Sequence, residues 1–369
     1  MKKLLYLTEV NFGENLNGIS YKIFKQIKIF ENNEFEVITA NNFFKSEFWR
    51  KILSFIPSLD FRHDYKVIEN IEGIDYIYIR YYLTNLHLLK FLKKVKKNNP
   101  NVKIFIEIPT FPYDNEIPFY NHRLLEDKLT RGKLVDYVDR IVTFSNDNNI
   151  FGIDTICISN GVDTSKINLG NVENRISTTI NIIAVAQICF WHGYDRIIKG
   201  LKLYYDNGGT EDIHIHIVGD GVDKVISNYK NMVNKYNLES KITFYGRLYG
   251  EKLDEVYNIC SLGFDSLGRH RSKVSYNSSL KGKEYMAKGL PSISGVKTEL
   301  DSMNEYKYYL RIPADDTPVD FNSVTEFYHK IYDNGRSVSE IAFEIRKYCE
   351  TFFEFSKSFD PVIEEYKNL

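Results

Sequence analysis

The sequence predicts an α/β protein of two successive domains, each built on a parallel sheet. Three observations carry this. The chain has 369 residues, more than the roughly 100–200 that one ordinary hydrophobic core organises. Short apolar runs alternate with helical patterns, a rhythm that right-handed crossovers turn into a parallel sheet. That rhythm stops in a polar, asparagine-rich stretch at 164–179 and then starts again. The expected divisions are a first domain at 1–165, a linker at 166–180, a second domain at 181–345 and a closing helical stretch at 346–369.

Composition narrows the function classes. The 48 basic and 49 acidic residues leave a net charge of −1, so bulk charge gives no ground for a nucleic-acid partner. Cys157, Cys189, Cys260 and Cys349 are spaced too widely for a metal-ligand pattern and read as core thiols of a reducing compartment. The apolar run at residues 1–7 stops at Thr8-Glu9, too soon for a signal segment, and reads as a first strand. No apolar stretch reaches the ~20 residues that span a bilayer. The expectation is a soluble cytoplasmic protein, with peripheral attachment to the inner face of the membrane left open.

Strands are expected at 4–7, 35–39, 76–79, 102–108, 140–144 and 155–158, and a helix at 19–30 with Ile23, Ile27 and Phe30 on one face. Ligands of such sheets lie beyond the C-terminal strand ends, which selects the loops after Leu7, Ile108 and Phe144. The first loop carries Gly13, Asn15, Asn17 and Gly18. Its glycines permit close backbone approach to a ligand but equally make an ordinary turn. The second runs from Glu107 through Pro109-Thr110-Phe111-Pro112-Tyr113-Asp114, and its two prolines hold it extended. Glu107 and Asp114 are therefore candidates for positioning a polar substrate, against the plainer reading of solvated acids.

Two segments of this half carry basic faces. Residues 86–97 set Leu88, Phe91, Leu92 and Val95 opposite Lys90, Lys93, Lys94 and Lys97. Residues 43–59 mix phenylalanines, isoleucines and Trp49 with Arg50 and Lys51. Both suit an anionic leaflet, and a solvated helix face is the alternative for the lysines.

In the second half strands are expected at 182–186, 213–218, 242–245 and 262–264, and helices at 197–205, 253–259 and 279–288. Trp191-His192-Gly193-Tyr194-Asp195-Arg196 follows the first of these strands, Gly219-Asp220-Gly221 closes the second, and Gly246 ends the third. Most of the chemistry lies in 278–291. Glu284 stands in a short helix stopped by Gly289 and Pro291, with Arg269, Arg271, Lys273, Lys281 and Lys283 ahead of it. A helix N-terminus ringed by cations receives an anion such as phosphate. A carboxylate inside that ring accepts hydrogen bonds from sugar hydroxyls, and the pairing points to a nucleotide-sugar site.

The stretch Glu284-x-x-Ala287-x-Gly289-x-Pro291 resembles the donor-domain signature of the two-domain (GT-B) glycosyltransferases of family 4. Ile158-x-Asn160-Gly161-Val162-Asp163, Val218-Gly219-Asp220-Gly221 and Phe244-x-Gly246 support the resemblance, which runs from the Gly18 loop to about Pro291. It implies two Rossmann-like domains facing a central cleft and a C-terminal helix crossing back to the first. It also implies a retaining transfer from a nucleoside-diphosphate sugar, with no metal and no other cofactor. Glu284 would hold the donor ribose, the loops at 219–221 and 246–248 would surround base and phosphates, and Gly18, Glu107 and Asp114 would face the acceptor.

Two features depart from the pattern. Tyr276 stands where many members carry a second glutamate, and Gln187 and His192 stand where an arginine and a lysine are usual. A diphosphate leaving group still needs fixed positive charge. Arg196, Arg271, Lys273 and Lys281 are the replacements at hand, Arg271 and Lys281 foremost, while solvated surface charge is the plainer reading of Lys273 and Lys283. His192 reads as a phosphate or sugar contact, with a satisfied core histidine as its alternative. The activity expected is transfer from a nucleoside-diphosphate sugar, UDP-linked above others, to a glycan or lipid-linked acceptor in surface polysaccharide assembly. A nucleotide-sugar epimerase or hydrolase, and a non-catalytic sugar-nucleotide-binding subunit, are the rivals.

Overall fold

A computed structural model describes residues 2–10, 12, 18–40, 65, 73–80, 83–117 and 122–369. The chain forms two compact units, one of residues 1–159 and 358–369, the other of residues 160–357.

In the first unit the described strands are β1 (Lys2–Leu7), β2 (Phe35–Ala40), β3 (Tyr76–Arg80), β4 (Lys103–Ile108), β5 (Arg140–Thr143), β6 (Asn149–Ile150) and β7 (Ile153–Cys157). They lie in the order β2-β1-β3-β4-β5-β7-β6, parallel except for the β6–β7 hairpin. The sequences of β1 and β4 are almost unbroken apolar runs because the sheet is covered on both faces. Helices Gly18–Asn32, Leu86–Asn98 and His122–Thr130 make the crossovers.

The last helix, Phe355–Asn368, delivers residues 358–369 to this unit. The Tyr366 ring stacks on Phe105 with centroids 3.8 Å apart, and its hydroxyl donates to the Ile77 carbonyl at 3.0 Å. The returning segment thus begins at 358, and 346–357 stays with the second unit. It ends the helix Val338–Phe352, which is separate from the last one.

The second unit has strands β8 (Thr179–Val185), β9 (Asp212–Val218), β10 (Ile242–Gly246), β11 (Leu262–Phe264), β12 (Ser292–Ser294) and β13 (Tyr309–Arg311). Their order is β10-β9-β8-β11-β12-β13, parallel throughout. From β8 the chain winds outward to β10, then returns to β11 and winds the other way. The reversal leaves a crevice between the C-terminal ends of β8 and β11, where open parallel sheets place their ligands. The core beneath is aliphatic and aromatic, with Ile182, Ile215, Ile217, Phe264 and Met286 all fully buried.

Residues 166–180, expected as a linker, belong to this second unit. They include the short 3-10 turn Glu173–Arg175, and Arg175 is buried with its guanidinium on the carbonyls of Leu169 and Gly289. Polar composition suggested a solvated tether. The backbone instead finds its partners in the fold.

Candidate functional site

The crevice between β8 and β11 collects the polar side chains of the second unit. β11 ends at Phe264, and Asp265 follows it, 2% exposed. Its carboxylate accepts from the Ser279 hydroxyl at 2.8 Å and from the Ser266 N–H at 2.7 Å, and lies 3.3 Å from the Lys281 ammonium. Ser279 is also the N-cap of the Leu280–Ala287 helix, accepting from the Gly282 N–H at 3.4 Å. One buried carboxylate therefore fixes both the cap and the first cation of the helix, whose first N–H groups have no intrahelical partners. Asp265 was not among the sequence candidates. Its only mark was a carboxylate directly after an apolar strand.

Glu284 lies one turn further along. It is half-buried, and among the described residues no hydrogen bond or ion pair to its carboxylate is found. Burial raises its pKa, Lys281 lowers it, and the nearby Asp265 raises it further. A carboxylate held without a partner is costly. The helix behind it is firmly ended: Gly289 adopts φ of 67°, and a side chain there would run into Ala342 of the Val338–Phe352 helix. That is why glycine stands five residues after Glu284.

His192 enters from the β8 side. It is buried, and its Nδ1 accepts from the Cys189 N–H at 2.9 Å, so the neutral ring carries its proton on Nε2. Burial pushes its pKa well down, helped by Lys281 and Arg269. Here the ring is a neutral donor rather than a cation. Gly193 seals the crevice, since a Cβ on it would lie 2.7 Å from the Gly268 nitrogen, and its φ is 68°. Gln187 is exposed just after β8.

The glycine turn after β9 has a different cause from the one its pattern suggested. Side chains at Gly219 and Gly221 would overlap the carbonyl oxygens of Ala186 and Ile188 on the adjoining β8 loop. Ile188 donates to the Asp220 carbonyl at 2.6 Å, and Gly219 donates to the Gly246 carbonyl at 2.7 Å. The three loops are thus stitched side by side along one edge of the sheet. Asp220 pairs with Arg247 at 2.6 Å on the exposed rim.

The four cations expected to hold a diphosphate stand in four different settings. Lys281 is half-buried at the helix start, beside Asp265. Arg271 points its Nε to Asp316 at 2.7 Å and grips Asp195 with two nitrogens at 2.8 and 2.9 Å. It also donates to the Phe190 carbonyl at 3.0 Å, so four of its five N–H donors are already engaged. Arg196, expected to reach phosphate, is instead fully buried, donating to the carbonyls of Leu267, Thr317 and Pro313. Lys273 is exposed with φ of 59°. Lys283, read as surface charge, is buried against the Phe353 ring and pairs with Glu299 at 2.6 Å.

In the first unit Gly18 is exposed at the first turn of its helix, and among the described residues nothing lies where a side chain would go. Asp114 pairs with Arg131 at 3.1 Å and with Lys128 at 3.4 Å. Glu107 is the larger correction. Expected to touch substrate, it is 0% exposed. The Tyr78 hydroxyl and the Gln26 amide donate to one oxygen at 2.6 and 2.5 Å, and Arg80 and Lys22 face the other. Burial opposes its charge, but Arg80 and Lys22 hold its carboxyl below the ordinary value. A strand-end carboxylate was legible in the sequence; its closure by four partners was not.

No family model matches the chain, and no curated protein sequence matches it. Solved structures do. A glycosyltransferase from Rickettsia africae is 14% identical, with 100% of this chain and 98% of that one covered at a TM-score of 0.62. The Anabaena HepE protein in complex with UDP and glucose is 13% identical over 100% of both chains at a TM-score of 0.63. Sucrose-phosphate synthase from Thermosynechococcus elongatus is 12% identical over 100% of this chain and 99% of its own, with a TM-score of 0.67. At such identities the likeness is one of fold, and the fold is the two-domain α/β architecture of the GT-B glycosyltransferases.

Proposed function

We propose that the protein is a retaining glycosyltransferase that moves a sugar from a nucleoside-diphosphate sugar, UDP-linked above others, to a glycan or glycolipid acceptor in surface glycoconjugate assembly. The observation that carries this reading is Glu284, a half-buried carboxylate without a partner among the described residues, one turn from a capped helix start. Ribose hydroxyls would supply its missing hydrogen bonds. The diphosphate would take the free N–H groups of the helix start, the Lys281 ammonium and the Nε2–H of neutral His192. The HepE structure with UDP-glucose is a neighbour of the same fold and supports a UDP-sugar as the first ligand to try.

The proposal includes transfer without a metal. Purified protein offered UDP-, GDP- and dTDP-sugars in EDTA is expected to bind at least one. Transfer to a glycolipid extract is expected to survive chelation, with the donor's anomeric configuration kept. Failure to bind any nucleotide sugar would sink the reading, and loss of transfer on chelation would sink its metal-free part.

The acceptor reading extends to a membrane surface. No helix among the described residues is long and apolar enough to cross a membrane. On the Leu86–Asn98 helix Lys90, Lys93 and Lys97 are exposed. On the His122–Thr130 helix Leu125 and Leu129 are 61% and 72% exposed. The Leu86 N–H donates to the Glu126 carboxylate at 3.0 Å, which sets the two helices side by side. Residues 43–59, the second basic segment, lie outside the described residues. Exposed leucines beside lysines fit the inner, anionic face of a membrane. Reversing Lys90, Lys93 and Lys97 to glutamate should weaken sedimentation with phosphatidylglycerol vesicles by at least about 1 kcal/mol per lysine. Unchanged sedimentation would remove this helix from the surface.

A further inference from the structure

Residues 160–169 hold the Glu284 helix at both of its ends. Ahead of the N-cap, the Asn160 N–H donates to the Ser278 hydroxyl at 2.7 Å, and the Asn160 amide donates to the Ser278 carbonyl at 2.5 Å. Behind the helix, one nitrogen of Arg346 donates to the Ala287 carbonyl at 2.8 Å and to the Ile167 carbonyl at 2.6 Å. Its other terminal nitrogen donates to the Thr164 carbonyl at 2.7 Å. Arg175 repeats the device one step on, bridging the carbonyls of Gly289 at 3.2 Å and Leu169 at 3.1 Å.

The choice of arginine has a physical reason. The last carbonyls of a helix lack intrahelical partners and carry the negative end of its dipole. A guanidinium presents several donors in a rigid fork, so it can satisfy two separate carbonyl groups at once. Arg175 does this while almost completely buried and with no acidic partner among the described residues, so burial pulls its pKa down to about 10. A buried guanidinium held only by carbonyls is an expensive fastener for a segment whose composition suggested a loose tether.

We propose that residues 160–169 couple occupancy of the Glu284 helix to the junction where the chain leaves one unit for the other, between Ser159 and Asn160. Arg346 and Arg175 are its positioning residues. They touch no substrate; they fix the helix to the first residues past the junction. A ligand that immobilises the helix then also immobilises the segment, and the reverse coupling has the same size. This rests on the donor reading of Glu284.

Hydrogen–deuterium exchange of the full-length protein with and without UDP tests it. UDP is expected to slow exchange in peptides covering 280–287 and, in the same titration, in peptides covering 160–169. In Arg346→Met the slowing at 160–169 is expected to vanish while that at 280–287 remains, with UDP affinity about fivefold lower, at the lower edge of ordinary site coupling. Arg346→Lys should restore part of it. Protection confined to 280–287 in the unaltered protein overturns the coupling but leaves the donor site standing. Persistence of the 160–169 response in Arg346→Met also overturns it, even if that variant melts earlier. No UDP binding at all overturns both the coupling and the donor reading.

Discussion

Glu284→Ala is expected to lose nucleotide-sugar binding while the protein stays folded. Hydrogen bonds to a charged group contribute about 1.5–3 kcal/mol each. A ribose diol held by one carboxylate would therefore weaken by about 3 kcal/mol, roughly 100-fold in Kd. The stability of the variant should move the other way. A carboxyl whose folded pKa is raised above the ordinary 4.5 binds its proton more tightly in the native state. Its charged form therefore destabilises the fold at neutral pH, and this penalty fades as the pH falls through that raised value. Glu284→Gln should accordingly melt no earlier than the parent at pH 7.5, with any gain shrinking in acid. Isothermal titration with UDP-sugar and a melting series from pH 4 to 8 check both halves. Unchanged affinity in Glu284→Ala would sink the assignment; a large fall in melting temperature would make Glu284 a structural group.

Glu107→Gln should act through stability. It removes the negative charge facing Arg80 and Lys22, both of them nearly buried, and leaves the Arg80 guanidinium uncompensated and Lys22 without the carboxylate that favours its protonated form. Breaking a buried ion pair from one side costs about 3–5 kcal/mol, which should shift the urea transition of the first unit to markedly lower denaturant. Lys22→Met on that background is expected to return part of the loss, the mark of a coupled pair. The same melts carry a pH test. Burial lowers the Lys22 ammonium from the ordinary 10.5 to about 7, with Glu107 opposing the shift. Between those values the unfolded chain binds the extra proton, so this group makes stability rise as the pH climbs from about 7 towards 10. Lys22→Met should flatten that rise. A Glu107→Gln protein of parental stability that fails only in turnover would restore Glu107 to the substrate.

Much of the fold was legible. The strand at 262–264 is as expected, and the first-unit strands fall within a few residues of their apolar runs, because a parallel sheet buried on both faces demands such runs. The pieces that escaped were short. β6 has two residues, while β12 and β13 have three each, lengths at which a period seldom shows, the equally short β11 being the exception. Boundaries escaped for another reason. The stretch at 166–180 is polar, yet its carbonyls are bound by its own Arg175 and, from far along the chain, by Arg346. Composition records that a segment is polar but not where its partners are.

The site divides in the same way. By itself the sequence determined the order of the elements, the glycine that ends the Glu284 helix and the presence of cations ahead of it. Helix stops and strand periods are local, set by residues a few positions apart. Tertiary structure decided which charges are already engaged. Arg271, Arg196 and Glu107 look like site residues in one dimension, but their partners lie 76, 71 and 81 positions away. Asp265, unremarkable in the sequence, became the group that fixes Ser279 and Lys281. A charge is available to a ligand only where the fold leaves its donors or acceptors unmet, and that depends on contacts no local pattern records.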